Sequence, residues 1–200
     1  MCARQHRLPP EETTITRIGV IAGSLRNTSI NREVAEALIA LAPAGVEMHI
    51  IDISELPVYS PDYDRDYPKA AREYKDALAS VDGLIILTPE YLRSITAALK
   101  NALEWGSHPT GESSFDRLPV AIGGVTKGGL GTVAAQQGLR AILGHLNAPT
   151  MGQPELFLRY TPEVFPGNGV IGDQAMADRL SAYLDAAVRH VELHAPVAAA

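Results

Sequence analysis

Short apolar runs alternate with segments whose apolar residues recur three or four apart, and the pair repeats five times along 200 residues. The first pattern reads as strand and the second as helix. Strands are expected over 17–22, 46–53, 83–88, 119–124 and around 155–158. The helical sets are Ile30, Val34, Leu38 and Leu41; Ala71, Tyr74 and Leu78; Ile95, Leu99, Ala102 and Leu103; Leu139, Ile142, Leu143 and Leu146; and Met176, Leu180, Leu184, Val188 and Val191. Strands one, three and four are almost continuously apolar, as parallel strands covered on both faces must be. The fold class that follows is α/β, an open, doubly wound five-stranded parallel sheet with helices on both faces. No repeat or linker divides the chain. Residues 15–194 are expected to form one domain, with 1–14 as a flexible arm and 195–200 as a flexible tail. A long loop with three prolines and three tyrosines, residues 57–68, follows strand two.

Bulk properties remove several function classes. A formal net charge of −6 lacks the basic footprint of a nucleic-acid binder. No apolar run approaches the ~18 residues of a membrane span. The first fourteen residues are polar, carry two prolines and lack the apolar middle of a secretory leader. The single cysteine, Cys2, lies in that arm, so neither a disulfide framework nor thiol catalysis is expected. The expectation is a soluble cytoplasmic protein that binds neither nucleic acid nor membrane.

In an open α/β sheet, ligands sit beyond the carboxyl ends of the strands, where the strand order reverses. That rule selects three loops, which are also the three most unusual stretches of the chain. The first, residues 23–29, opens a helix with Ser24, Arg26, Asn27, Thr28, Ser29 and then Asn31, but only one glycine. Helix-start amides, several hydroxyls and a guanidinium suit a terminal phosphate monoester. Dinucleotide turns carry G-x-G-x-x-G and triphosphate loops carry G-x-x-x-x-G-K-[ST]; neither is present. The plainer alternative is that Ser29 caps the helix and Arg26 is solvated. The second loop, Thr88-Pro-Glu-Tyr-Leu-Arg-Ser94, offers a flat aromatic wall in Tyr91, or else Tyr91 packs on the core and Glu90 pairs with a basic residue. The third, residues 123–131, has five glycines in nine positions, so its amides either approach a ligand edge or belong to a flexible surface loop. His190 and His194, four apart on the last helix, lack an evident third metal ligand, and no metal is expected. No Ser-His-Asp arrangement can be drawn from the sequence.

"GSLRNTSIN" (23–31) together with "TPEYLRSITAALKNALEW" (88–105) resembles the NADPH-dependent FMN reductase family of flavodoxin-like proteins, the group of bacterial quinone and chromate reductases and azoreductase-like enzymes. The resemblance runs over roughly residues 15–190. It implies a flavodoxin-like fold, FMN as cofactor and NADPH or NADH as reductant. Hydride passes to flavin N5 and on to a quinone-like or other small electron acceptor. Ser24, Arg26, Ser29 and Asn31 match the positions that hold the FMN phosphate, with Ile30 between them. Pro89, Glu90 and Tyr91 match the loop along the isoalloxazine and ribityl chain, with Leu92 next to them. Gly123, Gly124, Thr126, Lys127 and Gly128 match the segment near the pyrimidine edge. No protein side chain is expected to be catalytic, because the flavin carries the chemistry. Helix 94–105 matches the family's dimer helix, so a homodimer or a dimer of dimers is expected, with Trp105 adding apolar surface.

Two departures from the family stand out: Leu92 where asparagine is usual, and Thr96-Ala97 where Pro-Gly is usual. The first predicts a more apolar acceptor pocket, since residue 92 would border the face where nicotinamide and acceptor take turns. Two other readings remain at this point. One is an electron carrier or redox-sensing flavoprotein of the same fold without NAD(P)H turnover. The other is a flavin-free nucleotide-binding module, against which the missing G-x-G-x-x-G counts.

Overall fold

The computed structural model describes residues 15–195, so the expected arm, most of the expected tail and Cys2 lie outside the described residues. Five strands, β1 (Thr16–Ala22), β2 (Val46–Ile50), β3 (Gly83–Leu87), β4 (Val120–Thr126) and β5 (Leu156–Arg159), alternate with five helices. These are α1 (Ile30–Ala40), α2 (Lys69–Ala79), α3 (Ala97–Ser107), α4 (Val133–His145) and α5 (Gln174–His194). All strand pairs are parallel, in the order β2-β1-β3-β4-β5. This is the doubly wound order of flavodoxin-like proteins, with its reversal between β1 and β3.

The apolar runs behave as their composition dictates. Every residue of β3 is buried, and so are all of β4 except Thr126 and the last five residues of β1. The edge strands β2 and β5 alternate between covered and open positions. On one face α1 and α5 cover Ile18, Val20, Ile85, Leu87 and Val125. On the other α2, α3 and α4 cover Ile21, Leu84, Ile86, Val120 and Ile122. No helix among the described residues is long and apolar enough to cross a membrane.

Most boundaries shift by a residue or two, and three shifts bear on the site. Strand β2 ends at Ile50 rather than 53. Ile51 N still donates to Val20 O at 2.9 Å, but Asp52 then accepts from the backbone and hydroxyl of Ser54 (2.9 and 3.0 Å), which bends the chain out of the ladder. Strand β4 continues past 124 to Thr126, which takes Gly123 and Gly124 out of the loop and into the sheet. Helix α3 starts at Ala97, not 94, because Thr96 is its cap: Leu99 N donates to Thr96 Oγ1 at 3.0 Å.

Residues 91–94 form a two-residue hairpin turn ahead of that cap. Tyr91 and Ser94 exchange both backbone hydrogen bonds at 3.0 Å, and Leu92 and Arg93 between them have φ of 52° and 62°. Positive φ at both central positions is the signature of a type I′ turn, which favours Asn-Gly.

The expected apolar surface at Trp105 is absent. Trp105 is fully buried beneath the loop 57–68, where its Nε1 donates to Pro57 O at 2.6 Å and its ring meets Tyr59, Tyr63 and Tyr67 at centroid distances of 5.1–5.6 Å. The loop's three tyrosines are a lid over one tryptophan. Tyr59 also donates to Asp64 Oδ1 at 3.0 Å, and desolvation followed by this bond pushes its hydroxyl up to about 12. Ile95 is half-buried, and Leu99, Ala102 and Leu103 pack into the chain's own core.

Asn31 ties the start of α1 to β4. Its Nδ2 donates to Val125 O at 3.0 Å and its Oδ1 accepts from Val125 N at 3.1 Å, with 1% of the residue exposed. Asn31→Ala leaves both Val125 groups without partners at about 1–3 kcal/mol each, so a loss of about 2–6 kcal/mol is expected in urea unfolding of the apoprotein. Leu92→Asn should act in the opposite direction. Left-handed backbone costs an ordinary residue about 1–2 kcal/mol and asparagine less, so a gain of about 1 kcal/mol, or roughly 2–4 °C in melting temperature, is expected by calorimetry.

Candidate functional site

The chain reversal after β1 and β3 opens a cleft of about 220 Å³ at the carboxyl edge of the sheet. The three loops singled out from the sequence line it together. Ser24, Arg26, Thr28, Ser29, Ile30 and Asn31 come from the first loop and the start of α1, Pro89, Glu90 and Tyr91 from the second, and Thr126 and Lys127 from the end of β4. Backbone bonds bring two of these loops into register: Gly23 N donates to Leu87 O at 2.8 Å, and Thr88 N donates to Gly123 O at 2.9 Å. Thr96 Oγ1 donates to Gly23 O as well, so the cap of α3 also fastens the first loop. That bond gives Thr96 a role that a proline, lacking the hydroxyl, could not fill, while nothing in the structure explains Ala97.

Within the first loop the hydroxyls divide their work. Ser29 caps α1, accepting from Arg32 N at 3.2 Å, and is 4% exposed. Asn31 is spent on Val125. Ser24, Arg26, Asn27 and Thr28 remain open toward the cleft or solvent, and among the described residues Arg26 has no carboxylate partner. The amino end of α1, with its unpaired amides and positive dipole end, points into the same space. Donors open to an anion are Ser24, Arg26, Thr28 and backbone N–H groups; Ser29, which accepts as the cap, keeps its own O–H free at the cleft, and Asn31 holds the frame.

The second loop is fixed from below. Thr88 Oγ1 donates to Pro89 O at 2.8 Å, and Pro89 is buried. Glu90 reaches across the cleft floor: its Oε2 accepts from Ala134 N at 2.9 Å and Ala135 N at 3.2 Å, and its Oε1 pairs with Arg93 Nη1 at 3.2 Å. The expected pairing of Glu90 with a basic residue is present, to Arg93, while its tie to a helix 44 residues downstream has no signal in the sequence. Tyr91 is 54% exposed, a ring standing at the cleft rather than packed on the core. Leu92 is wholly exposed at the tip of the turn and forms no part of the cleft wall.

In the third loop, Gly123 and Gly124 are packing positions. A Cβ on Gly124 would fall 2.2 Å from both Thr132 Oγ1 and Thr88 O, so only glycine lets the ends of β3 and β4 approach the start of α4. Gly128 is exposed, with its N donating to Thr126 Oγ1 at 3.4 Å, and a Cβ there would meet only Thr126 near 4 Å. Lys127 is exposed and, among the described residues, unpaired. Among the described residues the cleft thus has two free cations and a single carboxylate, Glu90, which is already engaged. An anion-terminated ligand with a planar body fits that set: donors at the α1 end, an aromatic ring and open glycine backbone at the other.

A larger cavity, about 850 Å³, opens at the opposite edge between Leu78, Asp82, Arg117, Pro149 and Leu193. The carboxyl ends of α2 and α5 reach it there, and negative dipole ends disfavour an anion. His190 and His194 lie on that side. Their rings are 4.4 Å apart, and each donates to a backbone carbonyl, Pro149 O at 3.0 Å and His190 O at 2.8 Å.

Comparison with known proteins gives the same picture. The profile of the NADPH-dependent FMN reductase family matches residues 16–163. A 2-hydroxy-1,4-benzoquinone reductase of Burkholderia sp is 41% identical over 169 residues, covering 84% of this chain and 92% of the relative. A quinone reductase of Pseudomonas putida is 34% identical over 174 residues, covering 84% and 94%. Among solved structures, the flavoenzyme NAD(P)H:(acceptor) oxidoreductase FerB of Paracoccus denitrificans superposes with a TM-score of 0.86 at 32% identity, covering 90% of this chain and all of that one. With the flavodoxin-like strand order and this agreement along the chain, the protein belongs to the NADPH-dependent FMN reductase family and is an FMN-dependent NAD(P)H oxidoreductase.

Proposed function

We propose that this chain reduces quinones with NAD(P)H, holding FMN in the three-loop cleft, in the cytoplasm and as a homodimer. The observation that carries the cofactor pose is the polarity of the cleft, cationic and hydroxyl-rich at the α1 end and aromatic at the Tyr91 end. Arg26, Ser24, Thr28 and the first amides of α1 bind the phosphate. Tyr91 and the backbone after Thr126 enclose the ring, and Lys127 adds positive charge at that end. Bound FMN supplies the hydride chemistry, accepting from the nicotinamide and delivering to the acceptor. The protein's share is to orient the ring and to leave one face open to each reactant in turn.

A quinone acceptor is the reading favoured by the rim. Tyr91, Leu92 and Leu130 are 54%, 100% and 69% exposed on the loops around the cleft, an apolar border suited to an uncharged planar acceptor. The named activities of the Burkholderia and Pseudomonas relatives point to the same class.

The dimer reading moves away from Trp105 to the groove between α3 and α4. This groove, about 490 Å³, is lined by Leu103, Ala141, Ile142 and Leu146, with Lys100 and Glu104 beside them. Lys100 and Glu104 pair with each other along α3, which leaves the apolar floor of the groove to meet its own copy across a twofold axis.

Arg26→Ala should weaken FMN ~10- to 100-fold, because a charge-assisted bond is worth about 1.5–3 kcal/mol, while riboflavin affinity stays nearly constant. Fluorescence titration of the apoprotein with both ligands tests this, and equal losses would reject the phosphate assignment. The FMN-loaded protein should oxidise NADPH or NADH steadily with 1,4-benzoquinone; bound flavin without turnover would instead mark an electron carrier. Light scattering should give twice the chain mass for the wild type and a monomer for Ile142→Glu. A wild-type monomer at micromolar concentration would refute the dimer.

A further inference from the structure

We propose that Glu90 is a positioning residue that sets the charge at the ring end of the cleft, by occupying the amino end of α4 and tying it to the turn at residues 91–94. The proposal rests on the reading that FMN lies in this cleft. Helix α4 lacks a cap of its own. Thr132 precedes it, but Thr132 Oγ1 accepts from Gln136 Nε2 at 2.9 Å and makes no bond to the first helical amides. Glu90 supplies that cap from another loop, accepting from Ala134 N and Ala135 N at 2.9 and 3.2 Å, the second and third residues of the helix.

The electrostatic consequence follows from where α4 begins. Its amino end rises from the glycine loop, beside the wall formed by Thr126 and Lys127. Left alone it would add about half a positive charge to a cleft that already holds Arg26 and Lys127. Glu90 cancels that field with a full negative charge, and only 11% of its side chain is exposed. Arg93, the cation facing it from the turn, is 74% exposed and therefore screened, so it offsets Glu90 only in part. Among the described residues no other carboxylate lines the cleft.

A flavin gains negative charge on two-electron reduction. A cleft with Arg26, Lys127 and a bare α4 terminus would stabilise the reduced form strongly and release its electrons reluctantly. Glu90 holds that stabilisation down, which favours passing hydride onward to the acceptor. A purely mechanical clip between the two loops would have no such effect.

The test compares Glu90→Gln, which keeps a carbonyl acceptor for the α4 amides but removes the charge, with Arg93→Ala, which leaves the cap and strips its counter-charge. FMN titration comes first, followed by the midpoint potential of the bound flavin by equilibration with a reference dye. Glu90→Gln should favour reduced over oxidised FMN about tenfold more than wild type, an upward shift of about 30 mV for a two-electron couple. Arg93→Ala should shift the potential the other way by a smaller amount. An unchanged potential in Glu90→Gln with FMN bound would overturn the proposal and leave Glu90 a structural cap. Should Glu90→Gln fail to fold, Arg93→Ala decides: a downward shift supports the proposal and no shift, or an upward one, overturns it. A wild-type protein that does not take up FMN would instead overturn the cleft assignment beneath it.

Discussion

Parallel strands that are covered on both faces must send their connections to opposite sides somewhere, and the divergence after β1 and β3 governs everything at the carboxyl edge. Helix α1 passes to one face and the connections through α2, α3 and α4 to the other, so the loops leaving β1 and β3 part company above the sheet. The gap would collapse or splay if nothing held its sides. Four hydrogen bonds set its width: Gly23 N to Leu87 O, Thr96 Oγ1 to Gly23 O, and the two between Asn31 and Val125. All are buried, where an unmade bond costs more than a made one contributes. The edge is therefore held by the penalty for opening as much as by attraction.

Legibility in the sequence followed the range of the interactions involved. The middle strands were plain because both faces of β3 are covered, so all five of its residues, Gly83 to Leu87, are buried. The edge strand around 155–158 was harder to place, since Leu156 and Leu158 are buried while Phe157 is half-covered and Arg159 exposed. Loop identity was legible too, because hydroxyls, glycines and a lone arginine in one short stretch have few other uses. Partners distant along the chain were not. Nothing near Glu90 announces Ala134 and Ala135, and nothing near Trp105 says that Tyr59, Tyr63 and Tyr67 will close over it. The three tyrosines were visible at a spacing of four, but that spacing suits a helix as well as a lid.

Residue type also concealed division of labour inside one motif. Ser24 and Ser29 look alike in sequence, yet Ser24 is half-exposed at the cleft while Ser29 is buried and caps α1 as well as lining it. Asn31 looks like a phosphate donor but is 1% exposed, with both polar ends bonded to β4. Gly123 and Gly124 look like a loop that approaches a ligand, while their hydrogens face Leu156, Thr132 and Thr88 in the packed sheet. In each case the frame and the binding surface draw on the same small residues, and only depth separates them.

The turn at Leu92 and Arg93 shows how such a frame can tolerate an unfavourable local choice. Two residues with side chains sit at positive φ where Asn-Gly would be relaxed. The turn is nonetheless bounded on both sides: Tyr91 and Ser94 exchange two backbone bonds, Arg93 reaches Glu90, and Glu90 is anchored on α4. Residues in sparsely populated backbone regions persist when their surroundings over-determine them. Here the strain keeps Leu92 out in solvent at the mouth of the cleft, where an asparagine would present a polar group instead. The position is thus free to vary without disturbing the phosphate end, because no bond of the first loop passes through it. In the proposed pose the phosphate end and the entrance are carried by different loops, residues 23–31 and 91–94, so the entrance can change while the phosphate contacts stay in place.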